Sequence, residues 1–201
     1  MKARLALAAL LLMTCGGGGD RAGVIGELGS VCGSSSIIGV AEKRVTSPTS
    51  RQCGIEYPAR LHEVAGIRLS QKPLVNCQTA RALDDWVRRG VKPAVSDIGA
   101  QLESLRVVAH YTCRTRNNQP GGRISEHGKG NAIDIAGFRL TNGTEISVLR
   151  DWGVGEKGAV LADIHKSACG RFGVVLGPES DRFHQDHFHV DTSNLERPYC
   201  R

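Results

Sequence analysis

Two stretches, Ser125-Glu126-His127-Gly128-Lys129-Gly130-Asn131-Ala132-Ile133-Asp134 and His184-Gln185-Asp186-His187-Phe188-His189-Val190-Asp191, hold four of the seven histidines of this 201-residue chain. On a strand, alternate residues share a face. Ile133 and Ile135 therefore look toward a core, while Ala132, Asp134 and Ala136 look the other way, with small neighbours leaving room around the carboxylate. Gly128 and Gly130 let the chain curl back so that His127 approaches the same spot. In the second stretch His187 and His189 project from one face and Phe188 and Val190 from the other. Two imidazoles and one carboxylate are a common three-ligand set for catalytic zinc, with a fourth position left for water. His127, Asp134 and His189 are assigned as ligands, and His187 stands beside them for acid/base work.

Outward from these stretches, residues 79–89 place Ala82, Leu83, Trp86 and Val87 at helical spacing, with Gly90 as a stop. Pro93 can open a second helix in which Val95, Ile98, Leu102 and Leu105 recur every three or four residues. Residues 106–113 are β-branched and aromatic, and a polar loop over 117–122 follows. Residues 131–138 and 145–149 read as strands joined through Asn142-Gly143, a hairpin signal. A helix over 158–168 and short strands over 172–176 and 187–191 complete an α+β fold, expected as a small antiparallel sheet with helices packed to one side.

Composition narrows the class. With 40% apolar and 23% charged residues the chain suits one globular domain, and seven scattered prolines exclude a fibrous, proline-rich wall protein. The net charge of +6 favours anionic polymers without naming one. Nucleic acid is not expected as a partner: four Phe, two Trp and three Tyr are few, and no basic run alternates with them as a stacking groove requires.

Residues 1–14 carry Lys2 and Arg4 ahead of an apolar run, the layout of an export signal, and that run is shorter than the ~20 residues of a membrane span. Leu12-Met13-Thr14-Cys15 and the glycines after it resemble a bacterial lipoprotein cleavage site, although Thr14 stands where a smaller residue is usual. Cys15 is thus either a lipid anchor or, after ordinary cleavage, part of a free tether. Residues 15–52, rich in Gly and Ser, read as a tether and loosely packed arm, and 53–201 as the folded domain. The expected location is outside the cytoplasm, periplasmic or on an outer-membrane lipoprotein facing the wall. Cys32, Cys53, Cys77, Cys113, Cys169 and Cys200 then form an even set suited to disulfides, with fifteen pairings open.

Ser-x-His, Gly-x-Ala-x-Asp and His-x-His also resemble the zinc signature of D-alanyl-D-alanine metallopeptidases and murein endopeptidases, which share a fold with the Hedgehog signalling domain. Ser125, His127, Gly130, Ala132, Asp134, His187 and His189 all fit it. Residues 53–201, through SEHGKGNAIDIAGF, ISVLRDW, FGVVLGPESDRFHQDHFHVD and the terminal YCR, are similar to the bacterial extensin-like C-terminal domain. The resemblance implies Zn2+ on His127, Asp134 and His189, with either His187 or Asp186 as the base. Strand alternation turns Asp186 away from the ligands, which makes His187 the better placed. By the same resemblance Arg114 binds substrate, while the Ser125 hydroxyl can orient His127 or its loop, as outer donors do at metal sites, and is counted with Arg114 toward substrate.

The implied activity is hydrolysis of amide bonds in peptidoglycan stem peptides or cross-links. The alternative is a zinc-containing wall-binding module without turnover, since a shared fold does not guarantee activity. A metal-dependent nuclease ranks last. The sequence leaves the oligomeric state open.

Overall fold

The computed structural model describes residues 24–201. The export signal over 1–14 and Cys15 lie outside them. The fold is α+β, built on one mixed sheet of eleven strands. That sheet is a correction to the small antiparallel one expected. It runs from β1 (Leu28–Val31) and β2 (Ser34–Ala41) to β5 (Pro58–Val64) and β6 (Ile67–Leu69), a two-stranded sheet of β3 (Val45–Thr46) and β4 (Gly54–Ile55) standing apart. β7 (Leu74–Asn76) pairs with β5, and β8 (Leu102–Ala109), parallel to β6, carries the sheet on to β9 (Ala132–Leu140), with β10 (Glu145–Ser147) hairpinned to β9. β12 (Phe188–Asp191) lies antiparallel to β9, followed by β11 (Val174–Leu176) and, parallel to it, β13 (Tyr199–Cys200).

The stretch 34–41, expected from sequence as part of a loose arm, is a strand because Ile37, Gly39 and Ala41 alternate inward along it. Ile37 and Ala41 are wholly buried. Gly39 lies so close to β5 that a Cβ there would meet the Arg60 carbonyl oxygen at 2.4 Å.

The two helices expected over 79–105 are one. α1 (Cys77–Trp86) is capped by the Asn76 side chain, which accepts from Thr79 N at 2.8 Å. It continues through a π-turn, Val87–Val91, into α2 (Lys92–Ser96). Gly90 does not end the helix; it is buried against α4 (Gly155–Ala168), where a Cβ would lie 2.2 Å from Ser167 Oγ. The wider turn admits Pro93, whose missing N–H would otherwise break the ladder.

Leu102 and Leu105, expected on the second helix, belong to β8. Leu102 pairs with Leu140, Ser104 with Arg139 and Leu105 with Phe138, so Glu103 is an extra residue in the strand. Such a bulge brings residues three apart onto one face, which copies helical spacing. β9 has a matching irregularity: Arg106 faces Gly137 and Val107 faces Ile135, leaving Ala136 out. Ile133, Ile135 and Phe138 therefore stay together on the core face.

That core is closed by Trp86, wholly buried and edge-on to Phe138 and Phe172 at 6.3 and 5.9 Å. Its Nε1 donates to Ile164 O and Ser167 Oγ on α4, each at 3.1 Å. A short α3 (Val148–Asp151) follows β10. Disulfides join Cys32 to Cys77, Cys53 to Cys113 and Cys169 to Cys200, across 45, 60 and 31 residues. In the chain-entropy picture each contributes about 4 kcal/mol, nearly equally, because the dependence on loop length is logarithmic. Among the described residues, no helix is long and apolar enough to cross a membrane.

Candidate metal centre

The site is made where β9 and β12 pair. Asp134 and His189 are opposite one another in register, so their side chains share a face, and Oδ1 and Nδ1 come to 2.8 Å. His127 arrives by a different route. Ser125 caps a single 3-10 turn, Glu126–Lys129, its hydroxyl accepting from His127 N at 3.4 Å. Gly130 then takes φ +68, a left-handed conformation that turns the chain back into β9. His127 Nε2 ends 3.2 Å from Asp134 Oδ1 and 3.2 Å from His189 Nδ1.

These three atoms form a triangle with edges of 2.8, 3.2 and 3.2 Å, and all three residues are buried. Nitrogen and oxygen ligands about 2.0–2.1 Å from a tetrahedral zinc stand roughly 3.3 Å apart, so the donor set fits such an ion with little movement.

The outer partners fix which atoms face inward. His127 Nδ1 donates to the His110 carbonyl at 3.0 Å, turning Nε2 to the centre. His189 Nε2 donates to Asp191 Oδ2 at 3.2 Å, turning Nδ1 to it. Carbonyl and carboxylate partners of this kind hold ligating imidazoles in one tautomer.

Charge balance agrees with the geometry. Burial alone would push His189 toward the neutral form, but hydrogen bonds and attraction from Asp134 and Asp191 outweigh it and raise its pKa to about 9. Burial likewise favours a protonated Asp134, yet His127 and His189 hold its carboxyl well below the usual range. Asp191 is also lowered against its burial, by hydrogen bonds from His189 and Ser193. Without a metal, the cluster is a buried carboxylate cradled by imidazoles.

A cleft of about 470 Å³ opens onto this cluster. All of the site residues expected from sequence except Asp186 line it: His127, Asp134, His189, His187, Arg114 and Ser125. His187 Nε2 lies 3.6 Å from Asp134 Oδ2, and its Nδ1 donates to Asp186 Oδ1 at 2.7 Å. The two rival proton acceptors are thus bonded to each other, with Asp186 outermost at 65% side-chain exposure. Arg114 is half-buried, and its Nη1 donates to Thr115 O at 3.3 Å.

Two residues of the site are not marked out by the sequence motifs. His184, which sequence alone places on a loop outside the ligand set, is buried in the cleft, its ring 5.3 Å from that of His187 and its Nδ1 donating to Asp181 Oδ1 at 2.8 Å. Burial lowers its pKa, against the pull of Asp181. Asp191, which sequence alone suggests as a local cap after the strand, partners His189. A signal for it exists, because residues two apart on a strand share a face.

The family description "Extensin-like protein C-terminus" matches residues 32–201. The chain belongs to the extensin-like C-terminal family. The matched extensin-like segment begins at Cys32, ahead of the boundary at 53 expected from sequence, and includes β2. No curated protein and no solved structure gives a significant match to the chain.

Proposed function

We propose that this extensin-like domain is a zinc-dependent peptidase that hydrolyses amide bonds of peptidoglycan stem peptides or cross-links. The carrying observation is the buried triangle of His127 Nε2, Asp134 Oδ1 and His189 Nδ1, each imidazole held by an outer partner. The resemblance of Ser-x-His, Gly-x-Ala-x-Asp and His-x-His to the D-alanyl-D-alanine metallopeptidase and Hedgehog zinc fold supports the same reading.

When bound there, zinc supplies Lewis acidity, polarising a carbonyl and bringing the pKa of water from about 15.7 toward about 7. His187 is placed to do the proton work. With Nδ1 committed to Asp186, its Nε2 takes a proton from the attacking water and passes it to the departing amine. Asp186 orients that ring. The half-buried Arg114 guanidinium binds a peptide carboxylate or the developing oxyanion through paired hydrogen bonds. Ser125 holds the turn that presents His127. Three disulfides suit an oxidising compartment, in keeping with export to the periplasm or display as a lipoprotein through Cys15.

The test is digestion of purified muropeptides by the mature protein, with zinc and with a chelator, read by product mass. Addition of one water for each bond cut, stopped by the chelator, is the expected result. His187→Ala should keep stoichiometric zinc and lose about 10²–10⁴-fold in rate, the usual range for a positioned acid/base group. Intact muropeptides at stoichiometric zinc would instead assign the chain to a wall-binding module without turnover.

A further inference from the structure

His127 depends on a piece of chain that has little to hold it. After β8 ends at Ala109, residues 110–114 have no regular secondary structure. Yet this segment gives His127 its outer partner, the His110 carbonyl, and carries Arg114 into the cleft. Its backbone ties are Tyr111 N to Leu74 O at 3.3 Å, Thr112 N to His127 O at 3.4 Å and Ser125 N to Arg114 O at 2.9 Å. Two of the three are long, and two of them lead back to the ligand loop itself, so they cannot fix that loop relative to the sheet.

The covalent tie is the Cys53–Cys113 bridge, Cα to Cα 5.6 Å, one residue ahead of Arg114. It also backs the ligand turn from behind. A Cβ at Gly128, next to His127, would lie 3.0 Å from Cys53 Sγ, and one at Gly130 would lie 2.4 Å from Ile55 Cδ1. Cys53 and Ile55, two apart in sequence, thus press on both glycines of the turn. Cys53 is itself buried and leads directly into β4, which β3 pairs.

The other two bridges sit elsewhere. Cys32–Cys77 joins the β1–β2 turn to the start of α1, and Cys169–Cys200 joins the end of α4 to β13.

We infer that the Cys53–Cys113 disulfide is a positioning clamp for the metal centre, holding the His110 carbonyl and the His127 turn in ligating geometry and thereby linking metal affinity to the oxidation state of this one bridge. The inference rests on the metal reading above and goes beyond it, since it assigns the bridge a role separate from general stabilisation. Loss of an outer partner of a ligating histidine weakens metal binding by about 10–100-fold, and loss of the clamp releases both that partner and the turn. By linkage the effect is reciprocal: whatever factor the closed bridge adds to metal affinity, bound metal adds to the bridge's resistance to reduction.

Two measurements on the mature chain test it. The first is zinc affinity, by competition with a chromophoric chelator, for the native protein, Cys53→Ser/Cys113→Ser and Cys169→Ser/Cys200→Ser, each checked for cooperative melting. The clamp predicts at least tenfold weaker zinc in the first variant and a change under about threefold in the second. Equal affinities in folded native and Cys53→Ser/Cys113→Ser protein would overturn it.

The second keeps every cysteine, and so decides the matter if that variant does not fold. The native protein is equilibrated in glutathione buffers, where two glutathiones give up two electrons and two protons to open a bridge and leave one oxidised glutathione and two protein thiols. Alkylation and peptide mass mapping then report each bridge separately, with and without saturating free zinc. Zinc should move the Cys53–Cys113 midpoint at least tenfold toward more reducing buffer, about 30 mV for this two-electron couple, and leave Cys169–Cys200 in place. Coincident midpoints overturn the clamp. A native protein that binds no zinc overturns the metal reading itself, whereas tight zinc with no bridge dependence overturns the clamp alone.

Discussion

On one face of the β9–β12 pair stand Ile133, Ile135, Phe188 and Val190, all wholly buried and apolar. On the other stand Asp134, His189 and Asp191, nearly as deeply buried and all ionisable. Adjacent residues of the same two strands thus face opposite demands. The apolar face gains free energy for each Å² removed from water. The polar face loses solvation and recovers it only through partners, so its hydrogen bonds must be complete. Asp134 meets both His127 and His189, and His189 meets a carboxylate at each ring nitrogen. The core face carries stability and the other carries the candidate metal ligands, and changes on the two should have separable effects.

The sharpest way to break that separation is His189→Ala. Removing one of three ligands should abolish stoichiometric zinc binding, measured by metal analysis after gel filtration, and leave Asp134 and Asp191 buried without their shared cation. Zinc retained at one equivalent would mean that the ligand set is wrong.

On the core face, Trp86→Ala should cost about 3–5 kcal/mol of unfolding free energy, from lost burial and the cavity left behind. Denaturant titration reads this. At low denaturant the folded fraction should still take up one zinc, and a loss of zinc affinity in step with stability would show that the faces are not independent.

The third effect concerns pH. The His189 pKa is raised in the folded protein, so in the metal-free state its charged form adds stability that is complete below about pH 6.5 and is lost as pH rises through about 9. Zinc held by His189 would displace that proton. Zinc affinity should therefore tighten by about tenfold per pH unit, roughly 100-fold between pH 7 and 9, and then level off. Isothermal titration in buffers of different ionisation enthalpy counts the proton released. A flat profile over that range would show that His189 is already neutral.

The smallest expected change is Asp191→Asn, which keeps the shape but weakens the hold on His189 Nε2. Zinc should bind about tenfold less tightly, the lower end for an outer partner, with melting of the zinc-free protein shifted far less than by Trp86→Ala.

Much of the site is legible along the chain because strand geometry is local. Alternation places Asp134 away from Ile133 and Ile135, and puts His187 and His189 together, whatever they pack against. The same rule applied to His189 and Asp191 finds the outer carboxylate. His184 is harder, since it lies in a turn, where neither period applies. The helix stop expected at Gly90 fails for a different reason: that glycine answers to Ser167 on α4, a contact invisible along the chain. Leu102 and Leu105 mislead because a bulge at Glu103 gives a strand the spacing of a helix. The stretch 34–41 misleads because its inward positions include Gly39, whose burial comes from the close approach of Arg60 rather than from its own hydrophobicity.

By itself the sequence determined the α+β class, the alternating faces of the two site strands and the chemical identity of the candidate ligand set, because each follows from residue type and a period of two. Only the tertiary structure decided the breadth and mixed pairing of the sheet, the three disulfide pairings, the meeting of Asp186 with His187 and the approach of His127 to Asp134 and His189. Those depend on contacts between residues distant along the chain, where register, bulges and the closeness of glycine backbones select one arrangement from many that the local pattern would allow.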